Sequence, residues 1–174
     1  MIIQFFRRIL PPSVRRRLRR LLERIGLRHG FLRCRDKGYA LLWGEGIEIG
    51  AFEHPAPVPR RCRVKYVDAI SPAEAAKFFP EVDTKRLVPV DYIVDLDRDG
   101  LSLIPSASKD FVIACHVIEH LANPGRFVQE CLRVIRSGGL FVIAAPDRDY
   151  TFDRARPLTL LATLQRWPAS CRAS

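Results

Sequence analysis

Gly46-Ile47-Glu48-Ile49-Gly50-Ala51 is a short apolar run that carries one carboxylate and stops at a glycine. A run of this length, bounded by turn residues, reads as a strand buried on both faces. Working outward, four more such runs follow, at Arg63–Ile70, Tyr92–Asp95, Asp110–Cys115 and Leu140–Ala145. Between them Pro72–Phe79 and Pro124–Ile135 read as helices. The second opens after Asn123 with Pro124 in its first turn and stops at Ser137-Gly138-Gly139. Strands alternating with helices predict an α/β fold with a doubly wound, mostly parallel sheet of about five strands.

In such a sheet ligands bind beyond the carboxyl ends of the strands, so the residues closing each run are the ones to question. The first run ends at Gly50, where the absence of a side chain lets backbone approach a ligand, and Glu48 beside it can receive a cationic amine. The second ends at Asp68, about 20 residues after the glycine turn, the spacing at which an acid accepts from ribose hydroxyls. The third ends in Asp95-Leu96-Asp97, and Asp95 or Asp97 can accept from an adenine amine. The fourth ends at Cys115-His116. In this order and on these elements the acids and the glycine point to a nucleoside-bearing cofactor.

Five blocks carry a family resemblance: Gly46–Pro55, Val67-Asp68, Asp110–Leu121, Leu132–Leu140 and Ala145–Asp153. Together they resemble the class I S-adenosylmethionine-dependent methyltransferases of the type 11 group, which are Rossmann-like. Within that group the chain looks most like a bacterial branch with a Gly-x-Glu-Ile-Gly-Ala start and a Pro-Asp-x-x-Tyr-Thr-Phe-Asp end, whose members occur alone or beside glycosyltransferase domains. The resemblance implies methyl transfer from S-adenosylmethionine. It sets Glu48 and Gly50 around the cofactor's amino-acid part, Asp68 on its ribose, Asp95 or Asp97 near adenine, and His116 at a strand tip facing the sulfonium. For a hydroxyl acceptor, His116 is the expected catalytic base, since an imidazole titrates near neutrality. The acceptor expected by analogy is a saccharide or another small molecule.

Two departures qualify the resemblance. Ala51 and Phe52 stand where many relatives carry more glycine. The class has seven strands, the last two forming an antiparallel edge, whereas five candidates precede Asp153, and Leu160–Ser174 no longer follows the pattern. The expected organisation is a basic amphipathic helical arm at 1–36, a methyltransferase-like domain at 37–159 lacking the last two strands, and an irregular tail at 160–174. A truncated or frame-shifted product, active or reduced to a non-catalytic binding remnant, would account for that ending.

The net charge of +10 is confined to the arm: residues 1–35 hold 11 Arg against Glu23 alone, while the remaining 139 residues hold equal numbers of basic and acidic side chains. Ile2, Phe5, Phe6, Ile9 and Leu10, then Val14, Leu18, Leu21, Leu22 and Ile25, recur at helical spacing around Pro11-Pro12. Arginines opposite such stripes suit packing on the domain or contact with an anionic membrane surface. A nucleic-acid partner is not expected, because aromatic residues are not interleaved with the arginines. Five cysteines without a C-x-x-C pair predict reduced thiols and a cytoplasmic protein, at most resting on the inner face of the membrane.

Two other chemistries have partial signatures in the sequence. His116-Val117-Ile118-Glu119-His120 fits the H-x-x-E-H pattern of zinc hydrolases. That pattern needs one long helix, and Asn123-Pro124 follows at once, so no bound metal is expected. Nicotinamide-dependent oxidation is disfavoured by the absence of G-x-G-x-x-G.

Overall fold

The computed structural model describes residues 34–80 and 82–157. The chain divides into two compact units, residues 1–37 and 38–174, and the sheet belongs to the second. The basic arm as far as residue 33 and the tail 160–174 lie outside the described residues.

Five strands form one sheet: β1 (Gly44–Ile49), β2 (Cys62–Asp68), β3 (Tyr92–Ile93), β4 (Lys109–Cys115) and β5 (Ile135–Ala144). They run in the order β3-β2-β1-β4-β5, and every neighbouring pair is parallel. The doubly wound α/β sheet expected from the alternation of runs is the one observed. From β1 the chain winds one way through β2 to β3, then crosses to the other flank for β4 and β5. The switch point therefore lies between β1 and β4, whose outgoing connections diverge and leave a crevice at their C-terminal ends.

Alternation along the central strands builds a core on each face. Ile47, Ile49, Val67, Val112 and Ala114 meet Val94, Leu101, Ile104, Phe127, Cys131 and Val134 on one side. Phe111 and Ile113 meet Tyr39 and Leu42 on the other. Gly46 is required there, because a Cβ would fall 2.3 Å from the Phe111 ring.

A short helix α1 (Cys34–Ala40), not foreseen from the sequence, precedes β1. Helix α2 (Pro72–Phe78) starts with a reciprocal cap: the Glu74 N–H donates to Ser71 Oγ, and the Ser71 N–H donates to Glu74 Oε2. Helix α3 (Pro124–Val134) has Pro124 in its first turn, and Asn123 Oδ1 accepts the Arg126 N–H at 2.9 Å. Phe127, Cys131 and Val134 form its buried stripe.

The strand ends differ from expectation in informative ways. β1 and β2 both begin earlier and stop earlier than the apolar runs, since Gly50 turns out of the ladder and the acid of β2 is already at its edge. β3 is reduced to two residues, and Val94 and Asp95 have left the ladder. The largest difference is β5. It follows α3 directly at Ile135, and Ser137-Gly138-Gly139 bulges out between the Lys109–Ile135 and Phe111–Leu140 pairs instead of separating helix from strand. Gly138 adopts φ +80° in this bulge. Arg136 spans it, pairing with the buried Asp110 carboxylate at 3.2 Å and donating to the Ser108 carbonyl at 3.0 Å.

Candidate cofactor site

At the end of β1 the chain turns through Gly50 with φ +69°, a conformation glycine adopts without strain. A Cβ at this position would stand 3.1 Å from Cγ2 of Val117, just beyond β4. The missing side chain thus keeps the crevice at the switch point open. The Gly50 N–H still donates to the Val67 carbonyl at 3.0 Å, which anchors the turn to β2.

On the β4 side His116 takes φ +58°, an uncommon conformation for a residue with a Cβ and one that concentrates at functional sites. Its N–H donates to the Ala144 carbonyl at 2.8 Å, so the backbone is held on β5 while 55% of the side chain is exposed. Nδ1 lies 3.4 Å from Glu119 Oε1. Phe52, two residues past Gly50, is also left-handed at φ +52°. Its carbonyl accepts the Val88 N–H, and its ring meets Phe79 edge-on at 5.7 Å. Two of the three non-glycine left-handed residues described therefore flank the crevice.

Glu48 is 4% exposed within β1. Both carboxylate oxygens accept one donor, the Ala56 N–H, at 2.9 and 3.1 Å. Burial pushes its pKa from 4.5 up to about 7, against the opposing pull of that hydrogen bond. A buried carboxylate sharing a single N–H has acceptor capacity to spare, and a nearby ammonium would satisfy it. This is a good fit for a cationic amine beside Gly50.

Asp68 closes β2, and its Oδ1 accepts the Ala69 N–H at 2.7 Å. Burial raises its pKa, partly offset by the Ala69 and Ile70 amides. It borders a small depression lined also by Phe52, Ile70, Pro72, Leu87 and Val88. Asp95 lies two residues past β3, with Oδ1 accepting the N–H groups of Asp97 and Arg98 at 3.1 and 3.0 Å. Asp97 turns the other way: its Oδ1 accepts from Ala122 and Asn123 at 2.9 and 3.3 Å, at the start of α3. The sheet thus gathers Gly50, Asp68, Asp95 and His116 at its C-terminal edge, with Glu48 buried one step behind the glycine turn.

The zinc-hydrolase pattern does not acquire the geometry it needs. Ile118–His120 forms a single 3-10 turn rather than a helix. No group of three His, Cys, Asp or Glu side chains among the described residues is arranged to hold a metal.

Residues 50–143, more than half the chain, match the family model described as a methyltransferase domain. The chain belongs to this methyltransferase-domain family. The matched stretch runs from the Gly50 turn into β5 and leaves β1, with Glu48, just outside it. Over 69 residues this methyltransferase domain is 46% identical to a Mycolicibacterium smegmatis protein named "Probable S-adenosylmethionine-dependent methyltransferase", an alignment covering 38% of this chain and 26% of that one. A protein of the same designation in Mycobacterium tuberculosis strain H37Rv is 47% identical over 53 residues, 30% of this chain and 19% of its own. The match spans only 26% and 19% of the length of these curated relatives. The crystal structure of a SAM-dependent methyltransferase from Aquifex aeolicus aligns with a TM-score of 0.47 at 16% identity, over 67% of this chain and 64% of that one.

Three residues around the methyltransferase crevice escape sequence reasoning. Phe52 and Val117 matter through backbone conformation and proximity, which apolar residue types do not announce. Glu119 was visible only as a member of the zinc pattern; its spacing from His116 is also what places the two side chains together.

Proposed function

We propose that this domain binds S-adenosylmethionine across the C-terminal ends of β1–β4 and transfers its methyl group to a saccharide or other small-molecule acceptor. The observation that carries the reading is the convergence of an underbonded buried carboxylate, Glu48, and a glycine turn, Gly50, on the switch-point crevice, with Asp68 one strand away. Glu48 would hold the amino-acid ammonium, Asp68 the ribose hydroxyls, and an acid of the Asp95–Asp97 turn the adenine amine. S-adenosylmethionine supplies a methyl group already activated on a sulfonium, so positioning of the acceptor accounts for much of the rate. His116, held by the β5 backbone on one side and by Glu119 on the other, would take the acceptor's proton at Nε2.

Calorimetry with S-adenosylhomocysteine tests the cofactor. The expected result is saturable one-to-one binding with no competition from NAD. Absence of heat at millimolar ligand rules the reading out.

The compartment we assign is the cytoplasm, in keeping with the free thiols of Cys62, Cys115 and Cys131. No described helix is long and apolar enough to cross a membrane. For the arm at 1–36 we propose contact with an anionic membrane face, supported by its arginine excess and its apolar stripes. The full chain is expected to co-sediment with vesicles containing phosphatidylserine and to be released by salt. Equal binding to neutral vesicles would refute surface electrostatics as the cause.

A further inference from the structure

The Asp95–Ile104 segment, which leads away from the adenine side of the crevice, is bonded along its length to one face of α3. Arg126, Glu130 and Arg133 lie at i, i+4 and i+7, a spacing that stacks them on one side of a helix. At the far end of the segment Glu130 Oε2 accepts the Leu101 N–H at 3.1 Å, while Arg133 donates to the Leu101 and Ile104 carbonyls at 2.9 and 3.0 Å. Glu130 and Arg133 pair with each other at 2.8 Å, so this end is a local ion pair spent on backbone.

The near end bears on the cofactor. Arg126 donates from Nη1 to the Asp97 carbonyl at 2.7 Å and from Nη2 to the Arg98 carbonyl at 3.3 Å. Asp97 reaches back, its Oδ1 accepting the Ala122 and Asn123 amides where α3 begins. One residue thus grips α3 with its side chain while its backbone is gripped by Arg126. Asp95 is differently placed. Oδ1 is fixed by the Asp97 and Arg98 amides, and Oδ2 accepts no hydrogen bond from the described residues. Fixing one oxygen while leaving the other open is what a reader of an amine needs: an oriented carboxylate with one acceptor unspent.

We propose that Arg126 is a positioning residue that sets the Asp95 carboxylate on the cofactor's adenine amine, and that Asp97 is a backbone staple with no cofactor contact. The proposal rests on the S-adenosylmethionine reading and settles which of the two acids serves it. The guanidinium is suited to the task because its planar fork holds two successive carbonyls at once, which a lysine cannot do.

The test compares binding of S-adenosylhomocysteine with binding of S-inosylhomocysteine, its deaminated analogue, which presents a carbonyl where the amine stood. A carboxylate acceptor should favour the amine by about tenfold or more, the worth of one hydrogen bond to a charged group. In Asp95→Asn this ratio should fall towards one, with the thermal midpoint kept. Arg126→Ala should lower the ratio several-fold, and Arg126→Lys should restore part of it. Asp97→Asn should lower the midpoint and leave the ratio as in the wild type. A merely structural role for Arg126 would weaken both ligands equally, and that result overturns the proposal. So does a ratio lost in Asp97→Asn and kept in Asp95→Asn. If the wild-type domain binds neither ligand, the parent reading fails and this one with it; if it binds both with equal affinity, only this one fails.

Discussion

Replacing Asp68 with alanine is expected to weaken S-adenosylhomocysteine binding by about 100-fold, the largest single loss of affinity anticipated here. The carboxylate closes β2 with one oxygen held by the Ala69 amide, and burial raises its pKa. A group in that condition gains more from new donors than an exposed acid does. Two ribose hydroxyls donating to it, each worth about 1.5–3 kcal/mol as charge-assisted bonds, amount to at least about 3 kcal/mol, hence the 100-fold figure. The fold should survive, because Asp68 is only partly buried and stands at a strand end. Calorimetry reads the affinity, and thermal unfolding confirms that the domain is intact. Near-wild-type affinity in Asp68→Ala would remove the ribose assignment.

The second large effect is a dependence on pH that passes through Glu48. Folding raises its pKa from 4.5 to about 7, so as pH climbs the unfolded chain gives up this proton before the folded one does. The contribution of Glu48 to stability is therefore most favourable below pH 4.5. It declines between 4.5 and 7 and levels off above, for a total of about 3 kcal/mol. Denaturant unfolding of wild type and Glu48→Gln at pH 5, 6, 7 and 8 isolates this group, since the difference between them should change sign-consistently across that interval and then flatten. Asp68 is displaced in the same direction, while Glu130, lowered by its hydrogen bond from Arg133, acts the opposite way at more acid pH. Both are common to the two proteins and cancel.

Ligand binding should show the reciprocal behaviour. An ammonium docking on Glu48 favours the ionised carboxylate, so below pH 7 binding releases a proton, and affinity rises by up to about tenfold per pH unit before reaching a plateau. A pH-independent affinity that Glu48→Gln leaves unchanged would show that this carboxylate serves only to hold the Ala56 amide.

Much of the fold was legible in the chain itself. Short apolar runs closed by glycine and acids, with a helix that opens at Asn123-Pro124, define strands and helices by period and by terminal chemistry, both local properties. Boundaries were less legible where two elements abut. Val134 and Ile135 continue one apolar pattern across the change from α3 to β5, and only pairing with Lys109 marks where the strand begins. Tyr39 of helix α1 and the Leu42 that follows the helix are buried, yet they carry no periodic signal long enough to declare themselves.

The candidate site divides along the same line. That Gly50, Asp68, Asp95 and His116 stand at strand ends follows from the sequence, because parallel winding sends every C-terminal end to one edge. Their unequal duties do not follow from it. Asp95 and Asp97 are the same residue type two positions apart, and what separates them lies about 25 residues downstream: the Ala122 and Asn123 amides just ahead of α3 claim one carboxylate, and Arg126 of α3 fixes the turn that aims the other. Glu48 reads from the sequence as an acceptor for a cationic amine, but that it is buried with a single donor is decided only by the fold. Residue identity and spacing determined which groups reach the crevice; long-range hydrogen bonding and desolvation, which exist only once the elements pack, decided which of them remain free to act.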